Sequence, residues 1–349
     1  MHPRELLLSV RQSAQTQRQG HLRLRNPQEY VSCWKEDEAL DGRDCSAFVI
    51  ILATKGCLWA LKSGCSMCGY TNESSINATP EDVQVQYKKA MKNYQGEEVI
   101  KIYTSGSFLD NFETTPELRR AILQDATSRA AKVVIESRHE YITAERVQEL
   151  LPFKDRVEIA VGVESSNDMI LNYSVNKPSN FSSFKRQAAI ASSAGIALKC
   201  YVMLKPPFLS ELEAIEDTVK TCRDVAPYAS EISVNPTNIQ SGTVVEMLWS
   251  RGNYRPPWLW SVAEVLKRTH DLNVRVMSKP TGAGTLRGAH NCGRCNERVL
   301  QAIADYSRHR NLEVLERLDC KCRNTWRREL ELTLIADVPF PKDYRKDVN

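Results

Sequence analysis

Cys57-Leu-Trp-Ala-Leu-Lys-Ser-Gly-Cys65-Ser-Met-Cys68-Gly-Tyr70 decides how this chain is read. Three thiols fall within twelve residues, directly after the aliphatic run 47–53. They therefore sit on a loop leaving the end of a buried strand. Cysteine thiolates ligate iron–sulfur clusters, and a cubane has four irons, so three ligands leave one iron open. By analogy with catalytic metal sites, an open position points to a chelating cofactor or substrate. The competing reading of the loop is a zinc knuckle at Cys65 and Cys68, with Cys57 a bystander.

Beyond the loop, Thr79-Pro-Glu-Asp opens a helix, with Thr79 as its cap and Pro80 at the first helical position, running to about Tyr94. Strands are predicted at 98–103, 132–136, 156–163, 196–204 and 231–235, alternating with helices at 116–131, 143–151, 181–193 and 211–225. A last helix and strand fall at 260–269 and 273–277. Alternation at this pace signals βαβ units and a parallel sheet, here an α/β fold built on a partial (β/α)6 barrel. Chemistry in such barrels collects at the C-terminal ends of the strands. Ser105-Gly106-Ser107, Glu136 and Arg138, Glu164 and Ser165, Lys205 and Asn235 all fall at those ends, with the three cysteines. The chain divides into an N-terminal extension (1–44, with a helix near 5–19), a core (45–280) and a small C-terminal module (281–349).

A second cysteine group lies in that module. His290-Asn-Cys292-Gly-Arg-Cys295 and Cys320-Lys-Cys322 flank a helix predicted over 297–317 and supply a four-cysteine tetrahedral set, with His290 in reserve. Structural zinc is the expected occupant, an auxiliary iron–sulfur cluster the alternative. Cys200 and Cys222 read as core fillers, and nothing requires Cys33 or Cys45 at the cluster. Net charge is +4, but residues 240–349 hold 19 Lys+Arg against 13 Asp+Glu, a weak pointer to a polyanion such as RNA. Trp249, Tyr254, Trp258, Trp260, Arg251 and Arg255 could stack on bases and neutralise phosphates, or simply pack an appended helix. No apolar run is long enough to span a bilayer, and the opening Met-His-Pro-Arg-Glu-Leu-Leu-Leu is too short an apolar region for a secretory signal. The chain is expected to be cytoplasmic and free of membrane. Eleven cysteines then argue for metal rather than disulfides.

The CX7CX2C loop resembles the cluster loop of the radical S-adenosylmethionine (radical SAM) superfamily, where CX3CX2C is the commonest spacing. Ser105-Gly106-Ser107 is similar to that superfamily's small-residue motif, which meets the methionine amino group. Glu136-Ser-Arg138 and Gly162-Val-Glu164-Ser165 are similar to motifs of its Elongator-like branch. Gly64-Cys-X-Met-Cys-Gly-Tyr70, Gly-Ser-Phe at 106–108 and the paired-cysteine tail most resemble the archaeosine-synthase radical SAM subunits.

That resemblance implies a [4Fe-4S] cluster on Cys57, Cys65 and Cys68. It implies S-adenosyl-L-methionine near Met67, Tyr70, Gly106, Ser107, Glu136, Arg138, Glu164 and Ser165. The implied substrate is tRNA, the partners a one-electron reductant and a transglycosylase-like subunit that adds lysine to 7-cyano-7-deazaguanine in the D-loop. Radical C–N cleavage by a carbon–nitrogen lyase then leaves archaeosine. Two alternatives stay open: another radical SAM tRNA-modifying enzyme, Elongator-like or methylthiotransferase-like, and a non-catalytic iron–sulfur or zinc RNA-binding protein.

Overall fold

The aliphatic run before the cysteine loop is the second strand of an eight-stranded sheet in the computed structural model, which describes Gln12 and residues 25–335. Strands β1 (Ser32–Leu40) and β2 (Arg43–Ile51) form an antiparallel hairpin. Then β3 (Val99–Tyr103), β4 (Lys132–Ser137), β5 (Val157–Glu164), β6 (Ala197–Leu204), β7 (Glu231–Pro236) and β8 (Arg275–Met277) follow, each parallel to its predecessor. The helices are α1 (Leu58–Lys62), α2 (Pro80–Ala90), α3 (Pro116–Arg129), α4 (Ala144–Leu150), α5 (Phe181–Ser193), α6 (Glu211–Val225), α7 (Val244–Ser250), α8 (Leu259–Arg268), α9 (Asn296–His309), α10 (Glu313–Glu316) and α11 (Cys322–Ile335). Six of them start where a side-chain oxygen accepts an orphan backbone N–H: Thr79, Thr115, Thr143, Asn180, Ser210 and Thr243.

Strand periodicity sorts the two faces of the sheet. Ile50, Ile100, Ile102, Ile135, Ile159, Leu198 and Ile232 belong to the main apolar cluster under the helices. On the other face Ala47, Val99, Val134 and Ala160 form a small apolar layer. Around it the lumen is charged: Lys101, Lys199, Glu231 and Arg275 all lie there on alternate strand positions.

The hairpin strand β1 is the main addition to the expected fold. The Asp41-Gly42 turn has φ of 52° and 76°, and Leu40 pairs with Arg43. That is the two-residue turn for which Asp-Gly is favoured. Side chains then bridge β1 and β8, the two edges of the curled sheet. Lys279 donates to the Asp37 carbonyl (2.7 Å) and pairs with Glu36 and Glu38 (3.1 Å each). Arg275 reaches the Ala39 carbonyl (3.2 Å). Part of the expected N-terminal extension is thus a strand of the sheet; apart from Gln12, the helix expected near 5–19 lies outside the described residues.

One further expectation is corrected. The helix expected over 297–317 breaks at Arg310 (φ 54°), whose guanidinium is drawn to the His270 and Leu272 carbonyls. Of the two readings of the aromatic cluster, packing of appended helices on the barrel is the one the structure bears out for Tyr254, Trp258 and Trp260. Tyr254, Trp258 and Trp260 are buried, and Trp258 Nε1 donates to Glu329 (2.8 Å) while the Tyr254 hydroxyl donates to the Lys205 carbonyl (2.6 Å). Arg255 stacks 3.9 Å from the Trp258 ring centroid and bonds the His290 carbonyl. These rings join α9 and α11 to the barrel in one continuous core that includes Val299, Ile303, Tyr306 and Trp326. Cys200 and Cys222 are fully buried, as core fillers should be. Among the described residues no helix is long and apolar enough to cross a membrane.

Candidate functional site

Past β2 the chain turns at Gly56 (φ 87°) and enters the cysteine loop, which is gripped from two sides. From the segment after β5, Asn176 accepts from Trp59 Nε1 through its carbonyl (2.8 Å) and donates to the Gly64 carbonyl (2.7 Å) and Ser63 Oγ (2.9 Å). Its left-handed backbone (φ 59°) is one that asparagine tolerates. From the segment after β7, Gln240 Oε1 accepts the Gly69 N–H (2.5 Å) and the Ser241 carbonyl takes the Asn72 amide (2.8 Å).

The thiols fit a cluster better than one ion. Among the described residues only Cys292, Cys295, Cys320 and Cys322 place three or more ligand atoms all within 4.8 Å of one another. The loop sulfurs therefore spread more widely than a single tetrahedral ion needs, and no third histidine, cysteine or carboxylate completes a tight set at Cys65 and Cys68. A four-iron group tolerates that spread. Burial first, then the neighbouring Cys68, pushes the Cys65 thiol up.

The ends of β3 and β4 close on the loop. A Cβ on Gly106 would stand 2.9 Å from the backbone N and Cα of Cys57, so only glycine permits this approach. Beneath the Ser105-Gly106-Ser107 turn lies Glu113, which takes the Ser107 N–H (2.5 Å) and the Thr54 hydroxyl, and whose carboxyl is pushed up to about 7, chiefly by burial. Ser107 Oγ accepts the Arg138 N–H (3.0 Å). Arg138 Nη1 lies 3.4 Å from Cys57 Sγ, and Nη2 pairs with Glu140. Glu136 lines the lumen below, pushed up to about 7 by burial. Tyr70, 54% exposed, lies over the mouth, hydrogen-bonded to Gln240. Met67 packs beside Ile239, Val245 and Tyr254.

The remaining predicted residues are tied to partners of their own. Glu164 has a left-handed backbone (φ 66°) at a register shift in β5, and pairs with Lys177 (3.0 Å). Ser165 is buried, its hydroxyl donated to Asp217 on α6 (2.8 Å). Lys205 does not face the rim: its Nζ is held by the buried Glu211 (2.5 Å). His139 is buried, its Nε2 on Ser179 Oγ (2.7 Å), and burial with Lys177 and Arg138 nearby lowers it to about 3, so it stays neutral.

The second cysteine group forms a separate centre. Its sulfurs stand 3.9 Å (Cys292–Cys295), 3.8 Å (Cys292–Cys320) and 3.6 Å (Cys295–Cys322) apart. A tetrahedral ion with bonds of about 2.3 Å to sulfur has edges of about 3.8 Å, so the four thiols match a single ion. Trp260 Nε1 donates to Cys322 Sγ (3.2 Å) and Asn291 Nδ2 to Cys295 Sγ (3.4 Å), outer-shell bonds of the kind that orient metal ligands. His290 faces the Gly288 carbonyl instead (2.8 Å).

The archaeosine synthase subunit beta of Methanosarcina acetivorans is 41% identical over 313 residues, which cover 87% of this chain and 90% of that protein. The chain belongs to the archaeosine synthase subunit beta family. The Thermococcus kodakarensis member is 39% identical over 310 residues, covering 85% of this chain and 95% of its own. No family model matches the chain. Among solved structures, the archaeal Elp3 of Methanocaldococcus infernus, with its N-terminus deleted, aligns at a TM-score of 0.46 and 15% identity, over 63% of this chain and 58% of that one.

In this family member the structure brings Cys57, Gly106, Ser107 and Arg138 into one wall of the mouth. Sequence reasoning missed Glu113, a lone carboxylate with no periodic partner. Asn176 grips the loop and Lys177 pairs with Glu164, contacts that no local spacing signals.

Proposed function

We propose that the chain is the radical SAM subunit of an archaeosine synthase, a carbon–nitrogen lyase. It acts on tRNA whose D-loop carries a lysine adduct of 7-cyano-7-deazaguanine. The carrying observation is 41% identity to the Methanosarcina acetivorans subunit over most of both chains. Three thiols at the C-terminal mouth of a parallel barrel support it. Cys57, Cys65 and Cys68 hold a [4Fe-4S] cluster, which when bound supplies the electron for reductive cleavage of S-adenosyl-L-methionine.

Around that centre the chain's own groups bind and orient. Gly106 lets the backbone approach, and Arg138 offers a planar fork to a carboxylate. Glu164, Met67 and Tyr70 line the remaining approaches. Ser107 and Ser165 act indirectly, by fixing Arg138 and the loop after β5. The catalytic unit is the barrel with its β1 hairpin strand, which starts at Ser32, and residues 281–349 complete it. A zinc ion on the four C-terminal cysteines holds α9 and α11 in place, and the exposed Arg294, Arg298, Lys321, Arg327 and Arg328 meet tRNA phosphates. A transglycosylase-like subunit supplies the lysine adduct, a one-electron reductant supplies the electron, and the work is cytoplasmic.

Anaerobic incubation of iron-loaded protein with S-adenosyl-L-methionine, dithionite and lysine-modified tRNA tests the reading. It predicts 5′-deoxyadenosine and conversion of the adduct to archaeosine by nucleoside mass spectrometry. A fully loaded protein that yields neither is reduced to an RNA-binding role. Arg327→Ala with Arg328→Ala is expected to weaken tRNA binding and reduce the salt slope by roughly 2. An unchanged slope would remove this surface from the interface.

A further inference from the structure

The barrel lumen is charged, and ion pairs account for most of it. Lys101 is matched by Glu36 and Glu38, Lys199 and Arg275 by Glu231, and Lys177 by Glu164. Glu136 differs: it makes no ion pair among the described residues. Its one partner is the Tyr201 hydroxyl, which is also within hydrogen-bond reach of Tyr103. Tyr103 and Glu136 stand on adjacent strands, and Tyr201 faces the lumen from β6. All three keep partial exposure although protein surrounds them, so they line an open space inside the barrel.

Depth separates Glu136 from the cysteine loop. Extended backbone continues from β4 through Arg138, so Glu136 and Arg138 share a face. Arg138 touches Cys57; Glu136 lies two residues, or about 7 Å, deeper. The cation nearest in effect, Lys199, is spent on Glu231 (2.5 Å), and the Glu164 carboxylate adds repulsion, so the enclosed Glu136 is costly to ionise and a cationic ligand group would reverse that cost. Two phenolic oxygens beside it can accept the remaining protons of an ammonium.

We propose that Glu136, flanked by Tyr201 and Tyr103, is the subsite for a primary ammonium group of the substrate, lying below the cofactor rather than contacting it. The inference rests on the function proposed above. A lysine joined to the base through one nitrogen keeps its other nitrogen as a free ammonium, and this subsite reads that charge.

Equilibrium binding of the full-length protein to three tRNAs tests it: one with the nitrile base, one with the lysine adduct, and one with the adduct's free amine acetylated. Wild-type protein should favour the lysine adduct over the nitrile tRNA roughly 10- to 100-fold, an advantage that acetylation removes. Glu136→Gln should lose most of that preference while keeping its iron content and its Kd for S-adenosyl-L-methionine. Tyr201→Phe, which leaves the carboxylate in place, should lose a smaller part. The acetylated adduct needs no variant, so the test survives a misfolded one.

Preference retained by a folded Glu136→Gln, or by the acetylated adduct, overturns the subsite. So does a weakened Kd for S-adenosyl-L-methionine, which would return Glu136 to the cofactor. A wild-type protein that ignores the lysine and forms no 5′-deoxyadenosine removes the proposed function itself, a distinct outcome.

Discussion

Gly106 shows how one missing side chain can set a site. The methyl of Gly106→Ala would press on the Cys57 backbone and the Glu113 carboxylate, and backbone atoms cannot rotate away. We expect a loss of about 1–3 kcal/mol in denaturant unfolding and failure to retain iron. A variant as stable and as iron-rich as its parent would show that the loop yields. Asp217 gives a test by pH. Burial raises its carboxyl from 3.8 to about 7, and one of its oxygens has no partner. The folded state therefore holds a proton that the unfolded state releases, so this residue's contribution is complete below about pH 3.8 and falls away as pH rises through about 7. Asp217→Asn should flatten that limb of the stability–pH curve; an unchanged slope would show that the carboxyl titrates normally.

At the scale of elements, the four-cysteine centre ties α8, α9 and α11 together. Cys322 lies under Trp260 of α8, Cys295 caps α9, and Trp326 of α11 donates to Ser261 of α8 (2.9 Å). Cys320→Ala removes one corner of the tetrahedron and with it the folding energy that a metal bound there would supply. We expect about one zinc per chain in the wild type, none in the variant, and destabilisation of roughly 4 kcal/mol or more. Equal melting of the two proteins, with and without chelator, would deny the centre a structural role. The paired cysteines were legible because their spacing is local. The break at Arg310 was not, because carbonyls of the turn after α8 draw that side chain in.

For the whole molecule, the seam between β1 and β8 rests on buried charge. Lys101, almost wholly buried, joins β3 to Glu36 and Glu38 of the hairpin. Lys101→Met should cost roughly 3–5 kcal/mol by urea unfolding, since it strands two carboxylates beside the partly exposed Lys279. Adding Glu38→Gln should recover part of the loss; no recovery would mean the lysine acts by packing alone. Burial opposes ionisation of Glu38, but Lys101, Lys199 and Lys279 outweigh it and hold the carboxyl well below its usual range. Its contribution is therefore full above about pH 4.5 and lost as pH falls, opposite in sign to Asp217.

By itself the sequence determined the parallel α/β order, the start of α2 at its Thr79 cap, and the four-cysteine set of the C-terminal module, because each is written in neighbouring residues. Asp41-Gly42 was equally local, a hairpin signal that the polar run around it hid. Only the tertiary structure decided which polar residues face the lumen. Glu136 and Lys205 both stand at strand ends, yet one lines the lumen and the other is pulled aside by Glu211. Tertiary structure likewise drew Trp258 and Trp260 inside. Orientation at a strand end depends on partners dozens of residues away, and no local pattern encodes them.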